Sequence, residues 1–516
     1  MSESRGLRRR DVLRMAVAGA GAALVGGCTS GSTPAAGTTT PSPVTSSPGP
    51  SGPVAIPWND LASRLSGRLL LPGASGYDSA RLTANPRYDS VHPAAVARCA
   101  TPADVAAVIA FAQEQRVPFS VRSGGHSYPG WSTGPGLVLD VSSLSLLHVD
   151  PSTRTVRVGA GARLVDVYSG VAATGLGIPA GSCPTVGLAG LTLGGGVGVL
   201  SRSWGLTCDA VTSLQIVTAD GQVREAADGT GLLWAAKGGG GGSFGVVTAF
   251  TLAARPASAV TLFAIHWPWS AAAEVVDAWQ HWGPTTDPRC WSTLKLHAGG
   301  GVAPTVLVAG VWNDPSSGLA AALAPLLSAV GSRPTSRSAR QHGYLDAMLT
   351  EAGCSGAGCH LPPTGTLVRE ALAATSHVPT GLMSAAAARA LVGAVEDAAG
   401  TPGLKQATAS LDALGGAVAH IAPAATAFVH RAAPYTVQYT ATWSDRSLPG
   451  STFDSVVRRM RAAMTPYLGN GAYVNYADAS LTGWQQAYWG ANYPRLQAVK
   501  HAVDPAGVFT FPQAVQ

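Results

Sequence analysis

Apolar side chains recur at Val105, Val108, Ile109 and Ala112, the three-and-four spacing of one helical face, directly behind Thr101 and Pro102. A threonine able to cap free N–H groups and a proline in the first turn predict that a helix begins there. The run Pro118 to Arg122 predicts a strand that leads straight into Ser123-Gly124-Gly125-His126-Ser127. Short strands are predicted at Gly136–Asp140 and, with alternation, at Thr153–Gly161. SLQIVTADGQV reads as a strand, an Asp220-Gly221 turn and a second strand, and Leu232 to Leu252 as helix, five glycines and strand. Helices and strands alternate, so the pattern predicts an α+β chain rather than an all-β one. From about residue 258 the texture changes to tryptophan-containing strands and alanine-rich helices such as Ala385 to Ala398. A first domain is expected over 56–257 and a second over 258–465. An aromatic segment, 466–516, is expected to return to the first.

Composition narrows this picture. With 516 residues, 46% hydrophobic and 12% charged, and 63 glycines, the chain is a loop-rich globular protein large enough for two domains. The net charge of +6 falls to +3 once the first 28 residues are set aside, since they hold five arginines and two acids. No later stretch clusters Lys or Arg, which excludes a nucleic-acid footprint. The start, Arg9-Arg10-Asp11-Val12-Leu13-Arg14, a short apolar run and Cys28, resembles a twin-arginine export signal ending in a lipobox. Residues 1–28 are therefore expected to be a leader with a lipid anchor on Cys28. Residues 29–55, rich in Thr, Ser, Pro and Gly, are expected to be a tether. Together they predict a folded body exported by the twin-arginine route and held outside a membrane. Of the other six cysteines, Cys354 and Cys359 are close enough for a local bridge. None shows the spacing of a metal site, so no metal is expected.

Two glycine loops each carry one nucleophile. RSGGHS at 122–127 holds His126, and GSCPTVGLAGLTLGGGVG at 181–198 holds Cys183. Bare backbone can approach a phosphate closely and form an anion-binding nest. Neither loop is a GxGxxG between strand and helix, and GxxxxGK[ST] is absent. A ring nitrogen and a sulfur near one cofactor could both bond to it.

The order and content of VRSGGHSYPGWS (121–132), GSCPTVGLAGLTLGGGVGVLSRSWGLTCD (181–209), LLWAAKGGGGGSFGVVT (232–248) and YVNYAD, WQQAYWGANYPRL and VDPAGVF (473–509) resemble one family. It is the berberine bridge enzyme-like flavin oxidases of the vanillyl-alcohol-oxidase superfamily. The resemblance implies a PCMH-type FAD-binding domain of two subdomains, with an inserted α/β substrate domain built as an antiparallel sheet covered by helices. It implies FAD attached twice, at its 8α carbon to His126 and at ring position six to Cys183. Arg122, Ser123, Gly124, Gly125 and Ser127 would cradle the pyrophosphate. Gly187, Gly190, Leu191, Gly194, Gly195, Gly196 and Gly198 would lie along the flavin, with Gly245, Val246, Val247, Asn475 and Asn492 nearby. Val186 would be an oxygen gate of the permissive type, which implies an oxidase releasing hydrogen peroxide. Ser243, before Phe244, stands where the family often has asparagine.

Catalytic candidates are Tyr473 and Tyr476, which resemble positions where this family keeps active-site aromatics, its sugar-oxidising members using a tyrosinate base, and Gln438. The last resembles the site of a glutamate base in alkaloid-oxidising members, a role an amide does not fill. Tyr128 and Trp443 are further lining candidates. The substrate is expected to be an oligosaccharide or hydroxylated natural product, oxidised at an alcohol-bearing carbon. Alternatives are a dehydrogenase with another electron acceptor and a lipoprotein that binds a glycan without turnover, which would need neither glycine loop.

Overall fold

The computed structural model describes residues 56–227, 231–314, 317–354, 356–361 and 365–516. The expected leader at 1–28, Cys28 and the tether at 29–55 lie outside the described residues.

A four-stranded sheet comes first: β1 (Arg68–Leu70), β2 (Ala95–Arg98), β3 (Phe119–Arg122) and β4 (Leu137–Asp140), in the order β1-β2-β4-β3. The helix Pro102–Gln115 joins β2 to β3, and β2 and β3 both run parallel to β4. Its start is capped twice, since Thr101 accepts the Asp104 N–H and Asp104 accepts the Thr101 N–H. A five-stranded antiparallel sheet follows. It takes β5 (Leu147–Asp150), β6 (Thr155–Gly159), β8 (Val211–Val217), β9 (Val223–Ala227) and β10 (Val246–Ala253) in the order β5-β6-β10-β8-β9. The two-residue strands β7 (Leu176–Gly177) and β11 (Arg255–Pro256) pair beside it. One apolar core, including Val108, Phe111, Leu139, Val158, Leu214 and Phe250, serves both sheets.

The second half is a seven-stranded antiparallel sheet of β12 (Val260–Trp267), β13 (Cys290–Gly299), β14 (Val302–Trp312), β15 (Ser336–His342), β16 (Ala371–His377), β17 (Gln406–Ala413) and β18 (Tyr435–Trp443). Its order is β15-β12-β14-β13-β17-β18-β16. One face buries Leu294, Leu296, Ala409, Leu411, Val437 and Tyr439 against the helices Ala272–Trp282, Ala385–Ala399 and Gly450–Leu468. Because strand side chains alternate, the other face carries Thr293, Lys295, Ser410, Asp412 and Gln438.

Four sets of polar contacts bind the halves together. The buried Arg202 guanidinium donates to the backbone carbonyls of Pro284, Thr286, Cys290 and Leu414. Arg431 and Asp209 form a buried bidentate pair at 2.7 and 2.8 Å. Arg87 grips Asp454, and Arg369 grips Asp89. The last residues pack on the first half, where buried Lys500 donates to the carbonyls of Ser243 and Phe509 and pairs with Asp504. Cys354 and Cys359 are disulfide-bonded.

Candidate functional site

The two nucleophile loops meet because of two glycines. A Cβ on Gly124 would lie 2.1 Å from the Gly187 nitrogen, and one on Gly187 would lie 2.3 Å from the Gly124 nitrogen. Only hydrogen fits on either side, so the backbones of the two loops run in contact. The second loop is also pinned from behind: Leu164 and Val165 donate their N–H groups to the carbonyls of Val186 and Pro184.

The consequence is that His126 and Cys183 open onto one cavity of about 750 Å³. His126 Nε2 is 2.9 Å from the Thr185 hydroxyl, and Cys183 Sγ is 3.8 Å from the same oxygen. Burial, then the Arg163 charge, push the His126 imidazolium down to about 4 against the pull of the Thr185 backbone. The ring is therefore neutral and nucleophilic at neutral pH.

Of the residues expected at the cofactor, Ser123, Gly124, Gly125, Ser127, Val186, Gly187, Gly190, Leu191, Gly245, Val246, Val247 and Asn475 also line this cavity. Others stand elsewhere. The Arg122 guanidinium is turned inward, paired with buried Asp140 at 2.9 Å and donating to the Ala80 and Arg81 carbonyls. The expected glycine cradle at 190–198 instead begins within a helix, Leu188–Leu193, and then enters a packed turn. There a Cβ would strike Asn475 from Gly194, Phe428 from Gly195, Thr207 from Gly196 and the Ala180 carbonyl from Gly198. At these four glycines the space a side chain would take is filled by neighbouring chain, and none of the four lines the cavity. Asn492 donates to the carbonyls of Pro423, Thr426 and Ala427. Ser243 accepts the Val515 N–H, so its hydroxyl helps close the chain terminus onto the glycine run.

The three catalytic candidates occupy different depths. Tyr476 lines the cavity. Tyr473 lies behind it, 2% exposed, with its hydroxyl oxygen accepting N–H groups from Gly196, Val197 and the Asn475 amide. Burial still pushes the Tyr473 phenol up to about 12 against those three donors. Gln438 donates to the Tyr128 hydroxyl at 2.6 Å, and the Tyr128 ring stacks on Tyr476 with centroids 6.0 Å apart. Trp443 stacks on Phe453 in the helical core, away from this group.

Sequence reasoning missed Thr185, Gly239 to Gly242, Trp131, Phe511 and Asp412. The glycine run was visible as a loop, but nothing local said which side it presents. Asp412 reaches the site only through sheet register, across from Thr293 and Thr436 and one row from Gln438. Burial raises its pKa, and its charge in turn helps to raise those of Tyr128 and Tyr476.

The residues present suit FAD. No acceptor among the described residues takes the backbone N–H of Gly124, Gly125, His126 or Ser127, and all four residues line the cavity. Gly125 is left-handed at φ 73°, as an anion-binding nest requires. Apolar walls from Val141, Leu193 and Val247 continue from this nest and suit a flat ring.

Comparison with known proteins agrees. Residues 93–227 match the FAD binding domain profile, and residues 472–516 match the profile described as Berberine and berberine like. An uncharacterized FAD-linked oxidoreductase of Bacillus subtilis, YgaK, is 33% identical over 88% of this chain and 97% of its own. Berberine bridge enzyme-like 2 of Arabidopsis thaliana is 29% identical over 82% of this chain and 83% of its own. Among solved structures, Physcomitrella patens BBE-like 1 superposes with a TM-score of 0.80 at 28% identity, covering 89% of this chain and 98% of that one. A chitooligosaccharide oxidase gives 0.79 at 25%, covering 89% and 99%. With its flavin-type nest, its inserted antiparallel sheet and its returning C-terminal segment, the chain belongs to the berberine bridge enzyme-like family of FAD-linked oxidoreductases.

Proposed function

We propose that the protein is an oxidase whose FAD is bound covalently through both His126 and Cys183, and that it oxidises an alcohol-bearing carbon of an oligosaccharide or hydroxylated natural product. The observation that carries this reading is the contact of Gly124 with Gly187, which turns a neutral imidazole and an exposed thiol toward one cavity. Bound FAD would supply hydride acceptance from the substrate carbon and return to its oxidised form by reducing dioxygen to hydrogen peroxide.

The chain's own part is to orient the substrate and take its hydroxyl proton. Tyr476 is the proposed proton acceptor, because a base must reach the reacting group and Tyr476, unlike Tyr473, is on the wall. Tyr473 serves as its support, with ring centroids 4.9 Å apart and a hydroxyl tied to the Gly196-Val197 backbone. Gln438 holds Tyr128 and orients rather than accepts.

A polyhydroxylated substrate is favoured by the polar face of the second sheet, where Lys295, Ser410, Asp412 and Gln438 are half-buried and Thr293 and Thr436 are buried. Lys295, Ser410 and Gln438 stand in one cross-strand row, and Thr293, Asp412 and Thr436 in the next. Such a surface of donors and acceptors matches hydroxyl groups rather than an apolar ring system. The likeness to a chitooligosaccharide oxidase points the same way. Val186, on the cavity wall, is the proposed oxygen gate. Residues 1–55 extend the proposal to twin-arginine export and a lipid anchor at Cys28, placing peroxide release outside the cell membrane.

Acid precipitation of the purified protein tests the attachment: yellow colour should stay in the pellet, and a colourless pellet sinks the covalent reading. His126→Ala and Cys183→Ala should each leave one bond. Peroxide release in air, measured beside Val186→Leu, tests the oxidase; equal oxygen consumption by the two proteins would remove the gate.

A further inference from the structure

We propose that the Thr185 hydroxyl relays a proton between Cys183 and His126 while the flavin is being attached, and so couples the two bonds. This rests on the bicovalent reading above. Thr185 is 5% exposed, and its Oγ1 lies 2.9 Å from His126 Nε2 and 3.8 Å from Cys183 Sγ. Among the described residues it is the one hydroxyl within hydrogen-bond reach of both.

Its position is held rather than incidental. The carbonyls before and after it, of Pro184 and Val186, are bonded to Val165 and Leu164, and Arg163 bridges to Gly187. A β-branched side chain on such a fixed backbone has a stiff first torsion, so the oxygen cannot swing away cheaply. Gly124 against Gly187 then fixes the distance to the His126 loop.

Each attachment joins one flavin C–H and one protein N–H or S–H into a C–N or C–S bond. The two hydrogens leave as two protons, and two electrons pass through the flavin to dioxygen, which becomes hydrogen peroxide. The thiolate is the sulfur nucleophile, so Cys183 must lose its proton first or as the bond forms. Nε2 of His126 already faces Thr185, which leaves Nδ1 as the ring atom that bonds to the flavin. Once Nδ1 carries that bond, Nε2 holds the ring's one lone pair and can only accept. The Thr185 hydroxyl donates to it while accepting from the Cys183 S–H. One proton leaves sulfur for Oγ1 as another leaves Oγ1 for Nε2, and Nε2 releases it to solvent when the flavin is reoxidised. The buried ring is a weak base, so the transfer accompanies C–S bond formation rather than preceding it.

The test compares wild type with Thr185→Val, which keeps the shape without the hydroxyl, and Thr185→Ser, which restores it. Each apoprotein is incubated with FAD in air, quenched over time in acid and digested. Mass spectrometry of the flavin-bearing peptides and alkylation of free Cys183 then score the two bonds separately, without any measure of turnover. Thr185→Val should form the His126 bond but gain the Cys183 bond at least tenfold more slowly, and Thr185→Ser should recover most of the rate. Formation of both bonds by Thr185→Val at the wild-type rate would overturn the relay, as would failure of serine to restore it. A wild-type protein that forms neither bond would instead overturn the bicovalent reading beneath it.

Discussion

A methyl group at Gly187 has nowhere to go: it would lie 2.3 Å from both the Gly124 nitrogen and Ser123 Oγ. Overpacking of this kind typically costs about 1–3 kcal/mol, and here the strain is relieved by parting the two loops. Gly187→Ala should therefore lower the unfolding midpoint and yield protein carrying one flavin bond instead of two, read from peptide masses. A variant with both bonds intact would show that the contact does not align the nucleophiles. A second residue-level effect concerns pH. Burial first, then the Asp412 charge, raise the Tyr476 phenol well above its usual value near 10. Only the phenolate can accept a proton, so flavin reduction should quicken as pH rises toward that value. Asp412→Asn removes a charge that opposes the phenolate, so the same rise should appear at lower pH in stopped-flow traces. An unmoved profile would exclude Tyr476 as the base. His126 and Cys183 stood out in the sequence because each sits in its own glycine loop. Thr185 and Asp412 did not, since a threonine after proline and an aspartate in a strand have no meaning until folding sets the first beside His126 and Cys183 and the second near Tyr128 and Tyr476.

At the scale of single elements, local pattern was informative where local forces decide. The helix Pro102–Gln115 begins at the residue the Thr-Pro pair marks, and Asp104 closes it by accepting N–H groups from Ser66, Gly67 and Ala100 as well as Thr101. Thr101→Ala should cost about 1 kcal/mol in a urea melt; no change would mean that Asp104 alone holds the turn. Those hydrogen bonds pull the Asp104 pKa down against burial. Its folded pKa is below the unfolded one, so its contribution is complete above about pH 3.9 and is lost as pH falls through the folded value. Pattern misled at 194–198, where glycines read as part of a cofactor cradle make room for Asn475, Phe428 and Thr207, while Gly190 and Leu191 do line the cavity. A glycine reports that something comes close, and the sequence does not say whether that is a ligand or, as Asn475 is to Gly194, a segment far along the chain.

Across the whole molecule, the order β15-β12-β14-β13-β17-β18-β16 could not be read from strands taken one at a time, because its central β13–β17 pair joins segments more than 100 residues apart, as at Thr293 and Asp412. That order is what presents Gln438 to Tyr128, and Arg202, Arg431–Asp209 and Arg87–Asp454 fix it over the flavin half. The cavity is thus enclosed jointly: the loops at 123–127 and 183–187, the glycine run at 239–242, the strand start at Arg369–Leu372 and the returning segment at Asn475–Ala477 all contribute. A ligand there contacts segments of both halves, so its binding free energy adds to the stability of both at once. In His126→Ala with Cys183→Ala, where FAD can bind only reversibly, stability should grow with free FAD as RT ln(1 + [FAD]/Kd), about 2.7 kcal/mol at a hundredfold excess over Kd. The melting temperature of that double variant should climb with added FAD as a single transition, while wild type, filled covalently on the proposed attachment, should not respond. Two transitions, with only the earlier one moving, would show that the halves unfold independently and that the arginine contacts do not transmit what the cofactor supplies.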